Sequence, residues 1–258
     1  SALAEAANGR IADAQTEEEA MKLQEEVRYR NGLVRSAYET GLAHYPANAQ
    51  LHNYYGEALY DKLGEHDAAL RAWHKAIGLN DKLSNPYNNI GLHKFHTGDY
   101  KGGLDYMDLA LKLDNKNPDY LYNMVQLYLI HGPQVAQLRQ WEKPRVYREA
   151  MRMSREILKL QPGDFHLTQD YATNFYKAEE FGVEADWKEA AEAWAKARKL
   201  TDRQDLVFFT WLNEARTWLR AKQFEQAAAC AQEALKLMPE SPEAKTVLAR
   251  AQEGMQAS

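Results

Sequence analysis

Few residues in this chain have the types and spacing that chemistry requires. His93 and His96 stand at i and i+3, where two imidazoles on one helix face can reach a shared metal ion. No cysteine or carboxylate completes a ligand set beside them, and Glu57 or Asp61 would have to come from a neighbouring segment. One packed histidine and one surface histidine are therefore expected, and no metal. Cys230 is the only cysteine, so an intramolecular disulfide is excluded and a cysteine metal site is disfavoured. Its setting, AAACAQEAL, reads as a small buried helix residue rather than a nucleophile. The basic run Arg139, Lys143, Arg145, Arg148, Arg152 and Arg155 has the charge to attract phosphate, but Glu142, Glu149 and Glu156 interleave with it. That mixture is expected of a solvated helix face. No Gly-rich phosphate loop, nucleophile elbow or His-Glu-x-x-His pattern occurs, so neither catalysis nor a cofactor is expected. What remains is amide chemistry: Asn89, Asn123 and Asn213 recur in equivalent settings. A carboxamide both donates and accepts, so it can pair with a peptide group whatever side chain that group carries.

The elements that would carry these residues are clearest in residues 84–117, SNPYNNIGLHKFHTGDYKGGLDYMDLALKLDNKN. Tyr87, Ile90, Gly91 and Lys94 recur at helical spacing before Thr97-Gly98-Asp99, and Leu104, Met107, Ala110, Leu111 and Leu113 recur after it. Two short helices joined by a Gly-Asp turn follow from that pattern. Gly91, Gly103 and Ala110 fall where the two helix backbones would meet. Glycine inside a helix costs about 1 kcal/mol relative to alanine, which close packing can offset. The unit repeats: Gly64, Gly98 and Gly132 are 34 residues apart, and Leu70, Ala76, Leu79 and Asn89 return as Leu104, Ala110, Leu113 and Asn123.

A helix-turn-helix unit with this period resembles the tetratricopeptide repeat. The resemblance is carried by Tyr87, Ile90-Gly91, Gly98, Tyr100, Gly103, Met107 and Ala110, with mild departures at Lys94, Gly103 and Met107. It extends over roughly residues 32–254. It implies an all-α, right-handed solenoid of about six helix pairs closed by a capping helix. Its repeats are expected at 17–46, 48–81, 84–117, 118–161, 163–201 and 205–238, with the cap at 241–254 and a frayed start at 1–16. The first repeat is degenerate. A helix beginning after Thr16 either turns at Asn31-Gly32 or fuses with the next segment into one long helix. The fourth repeat is interrupted after Gly132 by an extra short helix over 133–142, and the fifth has a long connection at 180–186. Both connections join first to second helices, so Trp141 is expected to pack near Phe181 or Val183.

The resemblance also implies a function. First helices of the family line a concave groove that holds a protein or peptide segment. Asn53, Glu57, Asp61, Asn85, Asn88, Asn89, Phe95, His96, Tyr122, Asn123, Gln126, Lys177, Asn213, Arg216 and Arg220 occupy inward positions. The asparagines either grip an extended backbone or bond their own neighbouring helices. Some members bind a C-terminal carboxylate through lysines, an arginine and asparagines. The matching positions here include Glu57, Asp119 and Asn123, so repeats two to four lack the cations for it. The inward charges run from acidic (Glu57, Asp61, Asp119) to basic (Lys177, Arg216, Arg220). A bound segment would accordingly be oriented by its own charges.

The whole composition agrees with a noncatalytic interaction module. In 258 residues the formal net charge is −5, so no global basic field favours nucleic acid. No apolar run approaches the roughly 18 residues of a membrane span. Self-association through edges or convex surfaces, and service as a helical accessory domain of a larger protein, are the alternatives. The chain begins at Ser1 rather than methionine, which points to processing or excision. No signal peptide is visible, leaving cytoplasmic and exported locations both open.

Overall fold

The structure is a computed structural model that describes residues 16–257. Among these residues every regular element is helical, and they divide after Asn115 into two compact units. The frayed start expected at 1–16 lies outside the described residues except for Thr16. Its hydroxyl accepts from the Glu19 amide at 3.2 Å and caps the first helix.

The first unit opens with α1 (Glu17–His44), one unbroken helix through Asn31-Gly32. Of the two readings of this segment, the fused one holds. Asn31 donates its side-chain amide to the Lys62 carbonyl at 3.1 Å, so it is not available to close a local turn on its own backbone. Nothing lies within 4 Å of the space where a Gly32 side chain would begin, so no close approach requires a break there. Two helix pairs follow, α2 (Ala49–Asp61) with α3 (His66–Leu79), and α4 (Asn85–His96) with α5 (Tyr100–Leu113). Each pair turns at a glycine in the left-handed region, Gly64 at φ +68° and Gly98 at φ +85°, which a side chain would disfavour. Asn48 and Asp99 cap the helices that follow them, accepting from Leu51 at 3.0 Å and Gly102 at 2.9 Å.

Within a pair, a glycine on one helix receives a large side chain from the other. A Cβ at Gly91 would lie 2.5 Å from Met107 Cγ, and one at Gly103 would lie 2.3 Å from the Phe95 ring. In the preceding pair the same role falls to Gly56 and Trp73, at 2.4 Å. Tyr60 connects the pairs, with ring centroids 4.4 Å from His66 and 5.7 Å from His93. Burial in this cluster, followed by the like charge of His66, pushes the His93 imidazole below its ordinary value.

The second unit comprises α6 (Pro118–Ile130), α7 (Gly132–Arg139), α8 (Lys143–Leu160), α9 (Phe165–Asn174), a 3-10 turn (Phe175–Phe181), α10 (Trp187–Arg198), α11 (Gln204–Arg220), α12 (Phe224–Leu237) and α13 (Pro242–Ala257). α7 is the expected extra helix. It ends at Gln140, which has φ 54°, and α8 then resumes the pairing with α6. The two long connections meet, but through a different residue from the one expected. Phe181 packs where a Gly132 Cβ would stand 2.3 Å from its ring, and it lies 5.8 Å from the Tyr147 ring. Trp141 instead sits edge-on to Tyr128 at 6.2 Å and beneath the Arg145 guanidinium at 4.3 Å. The left-handed turn at Gln140 brings it beside the start of α8, where a cation covers its face.

One charge pair is buried in this unit. Arg198 donates to Glu214 at 2.6 Å, with side chains 16% and 10% exposed, and the guanidinium lies 3.2 Å from the Trp211 ring centroid. Trp218 donates to the other Glu214 oxygen at 3.4 Å. Cys230 is buried on α12. Burial, and after it the Glu214 carboxylate, pushes its thiol up to about 12, so a thiolate nucleophile is not formed near neutrality.

Three stability tests follow from this packing. Gly103→Leu should drive a side chain into Phe95 and destabilise the chain by about 1–3 kcal/mol, read as a lowered urea midpoint. Glu214→Ala leaves Arg198 buried without its partner and should cost about 3–5 kcal/mol, with the double variant Glu214→Leu/Arg198→Met milder in the same assay. His93 binds a proton more readily in the unfolded chain than in the folded one. Its contribution to stability is therefore complete above the unfolded pKa of about 6.5 and falls as pH drops below it. Melting curves of His93→Gln between pH 5 and 8 should show a shallower acid-side decline than the parent.

Candidate functional site

The inward positions of the first unit form a hydrogen-bonded chain between α2 and α4. Asn53 Nδ2 donates to Glu57 Oε1 at 2.8 Å, and Asn89 Nδ2 donates to the same oxygen at 3.2 Å. Asn88 Nδ2 donates to Asn89 Oδ1 at 3.3 Å. Asn53 is fully buried and Asn88 nearly so. At these positions the asparagines bond within the chain: the Asn89–Glu57 bond ties α4 to α2, while Asn53 bonds within α2 and Asn88 within α4. Asp61 and His96 are exposed, and Asn85 is half-buried. Phe95 does not line a surface, contrary to expectation. It is 3% exposed, because Gly103 leaves room for its ring between the paired helices and Tyr100 closes over it at 5.7 Å.

Beside this network, α1 and α2 enclose a cavity of about 420 Å³ lined by Val34, Tyr38, Tyr54, Glu57 and Asp61. Burial, and after it the Glu57 carboxylate, raises the Tyr38 phenol above its ordinary range. The α1 contribution was not foreseen, since a degenerate repeat offers no register from which to place Tyr38. Its ring stacks on Tyr55 at 5.4 Å.

In the second unit Tyr122 donates to Asp170 at 2.8 Å. Burial, then this carboxylate, pushes its phenol up to about 12. Tyr122, Gln126, Asp170, Asn174 and Lys177 line a cavity of about 410 Å³, and Lys177 pairs with Glu180 at 2.8 Å. Asn123 is half-buried and is engaged within the chain. Asn213 spends its amide on the Phe209 carbonyl at 2.9 Å, and its oxygen accepts from Arg216 at 3.3 Å. Arg216 and Arg220 line a further cavity, of about 520 Å³, together with Tyr176, Leu219, Val247 and Arg250. Sequence reasoning missed Asp170, Tyr176 and Arg250. Asp170 stands on α9 and Tyr176 on the 3-10 turn that follows it, and Arg250 lies on the terminal helix, whose pattern predicts only a cap.

Among the described residues, no group of three or more histidine, cysteine, aspartate or glutamate residues is placed to hold a metal ion. None of their helices is long and apolar enough to cross a membrane. The arrangement presents cavities of binding size, each with aromatic and charged lining, on faces that first helices contribute to.

The sequence and the fold each have known counterparts. The tetratricopeptide repeat family profile matches residues 208–241, the segment containing α11 and α12. No curated protein sequence matches the chain. Among solved structures, YrrB, described as a TPR protein with an unusual peptide-binding site, superposes with a TM-score of 0.57 at 18% identity. That match covers 81% of this chain and 96% of YrrB. The C-terminal part of a TPR repeat-containing protein from Cytophaga hutchinsonii gives 0.61 at 17% identity, over 95% and 93% of the two chains. PilF from Pseudomonas aeruginosa gives 0.55 at 16% identity, over 95% and 97%. The chain therefore has the all-α fold of a tetratricopeptide-repeat solenoid and resembles that family in sequence, most directly at residues 208–241.

Proposed function

We propose that this chain is a noncatalytic module that binds a protein segment on the surfaces of its first helices. The observation that carries the reading is the set of open cavities on those helices, each combining aromatic walls with charged or amide groups. The Tyr38–Tyr54–Glu57–Asp61 cavity and the Tyr122–Gln126–Lys177 cavity are the clearest cases. Aromatic side chains supply contact area at low entropic cost, and the polar groups fix register. The bonded asparagines act by holding neighbouring first helices in place, so that the surface is ordered before a partner arrives. YrrB is described as having a peptide-binding site, which agrees with this use of the fold.

Self-association is the second reading, and one feature favours it. Leu237 and Met238 are 39% and 50% exposed and, with Phe208 and Pro239, line an apolar cavity of about 490 Å³ at the turn between α12 and α13. A second copy would cover it.

Peptides selected from a random display library against the parent chain should lose about tenfold in affinity, equal to 1.4 kcal/mol, on Tyr54→Ala with Asp61→Lys, or on Gln126→Ala with Lys177→Glu. Fluorescence anisotropy reads the affinities. Selected peptides that bind both variants as well as the parent would overturn the first reading. A mass that rises with concentration in sedimentation, and that Met238→Lys abolishes, would establish the second.

A further inference from the structure

We propose that the cavity between α11 and α13 holds an acidic protein segment, with Arg216, Arg220 and Arg250 binding its carboxylates. The inference rests on the protein-binding reading above and names the chemistry of one partner site. Arg216 and Arg220 stand at i and i+4 on α11, a like-charge pair that weakens a helix by a few tenths of a kcal/mol. Folding alone does not call for that arrangement. Arg250 reaches the same cavity from α13. None of the three forms an ion pair among the described residues. Arg216 donates only to the neutral Asn213 oxygen, at 3.3 Å, and the Arg220 guanidinium lies 6.0 Å from the Trp187 ring centroid.

Elsewhere in the chain Arg35, Arg155, Arg198 and Arg203 each meet a carboxylate, and with a net charge of −5 acids are in surplus. The one carboxylate on the cavity wall, Glu243, is already engaged. It accepts from Ser241 Oγ at 2.9 Å, and its own backbone amide, then Ser241, and after them the charge of Arg216, hold it below the ordinary carboxylate range. Three guanidiniums thus face one committed carboxylate. The field of two of them reaches Tyr176: burial raises its phenol, while the Thr217 hydroxyl, and after it Arg220 and Arg216, oppose the rise.

The occupant follows from size and lining. A space of about 520 Å³ exceeds what a single small anion fills and suits several side chains. Leu219 and Val247 supply an apolar floor and Tyr176 an aromatic wall. Guanidinium forks take carboxylates two oxygens at a time. A segment that alternates acids with an apolar residue satisfies both features. A nucleic acid fits less well, because a chain of negative net charge repels a polyanion at long range and three cations neutralise few phosphates.

The test uses a fluorescein-labelled nonapeptide of three Glu-Leu-Glu units, its Lys-Leu-Lys counterpart, and a nine-nucleotide thymidine strand, each titrated by anisotropy against the whole chain. The acidic peptide should bind saturably, and more weakly as salt rises. Arg220→Glu with Arg250→Glu should reduce its affinity by about tenfold or more, and Arg220→Lys with Arg250→Lys should fall between that variant and the parent. The charge-matched control Lys143→Glu with Arg148→Glu, on α8, should leave it unchanged. Circular dichroism melts confirm that the exposed substitutions leave the fold intact. Four results would overturn the proposal: no saturable binding of the acidic peptide, equal affinity for the parent and the Arg220→Glu/Arg250→Glu variant, an equal loss in the α8 control, or tighter binding of the thymidine strand. Library-selected peptides that still bind the chain in any of those cases would leave the broader protein-binding reading standing.

Discussion

The close approach of paired helices is the constraint on which the rest of this structure depends. Gly56 receives Trp73, Gly91 receives Met107, and Gly103 receives Phe95, each at a distance no side chain could share. The device extends into the second unit, where Gly132 receives Phe181 and Gly254 receives Phe224. A helix pair of this size buries little on its own, and seating a ring or thioether on bare backbone gives it many dispersion contacts within a small area. The direction of seating sets how each pair's outer faces are turned, and therefore which residues reach the cavities. Phe95 illustrates this: the room left by Gly103 removes it from the surface to which its place in the repeat would assign it.

Polar chemistry is distributed around those contacts in two ways. Two charge clusters are matched by hydrogen bonds. Arg198, Glu214, Trp211 and Trp218 form one cluster. Arg155 holds Glu189 through two bonds of 2.9 and 2.7 Å, and Tyr171 donates to the same carboxylate. That second cluster joins α8, α9 and α10, and Arg155 before all else holds Glu189 below the usual carboxylate range. Removing two charges from water is unfavourable unless geometry and additional hydrogen bonds compensate, and the Arg198–Glu214 cluster meets that condition, while Arg155 and Glu189 remain partly in water. On the cavity faces the rule is relaxed: Asp61 stands exposed, and Arg216, Arg220 and Arg250 form no ion pair among the described residues and share one wall carboxylate, Glu243.

Much of the fold was legible because two periodicities act together. The 3.6-residue spacing of apolar positions marks single helices, and the 34-residue recurrence of Gly64, Gly98 and Gly132 marks their pairing. The short helix after Gly132 was legible from Pro133 and the three-residue spacing of Val135, Leu138 and Trp141. The first helix was not, because Asn31-Gly32 has the composition of a turn. Only the carbonyl of Lys62, thirty-one residues further along the chain, uses the Asn31 amide and leaves the helix whole.

The candidate sites divide the same way. The sequence by itself determined that the chain is built from paired helices, that it lacks the constellations of the common catalytic motifs, and which residues share the inward register of a repeat. Those properties depend on spacing along one chain direction, which the sequence records. Only the tertiary structure decided what each inward side chain does, because that depends on neighbours brought from other helices. Asn89 shares its repeat position with Asn123 and Asn213, yet Glu57 draws it, with Asn53, into the framework. Tyr38, Asp170, Tyr176 and Arg250 reach the cavities from α1, α9, the 3-10 turn and the terminal helix. Cavity walls are made where separate helices converge, and the angle of that convergence is set by packing, which no spacing within a single helix encodes.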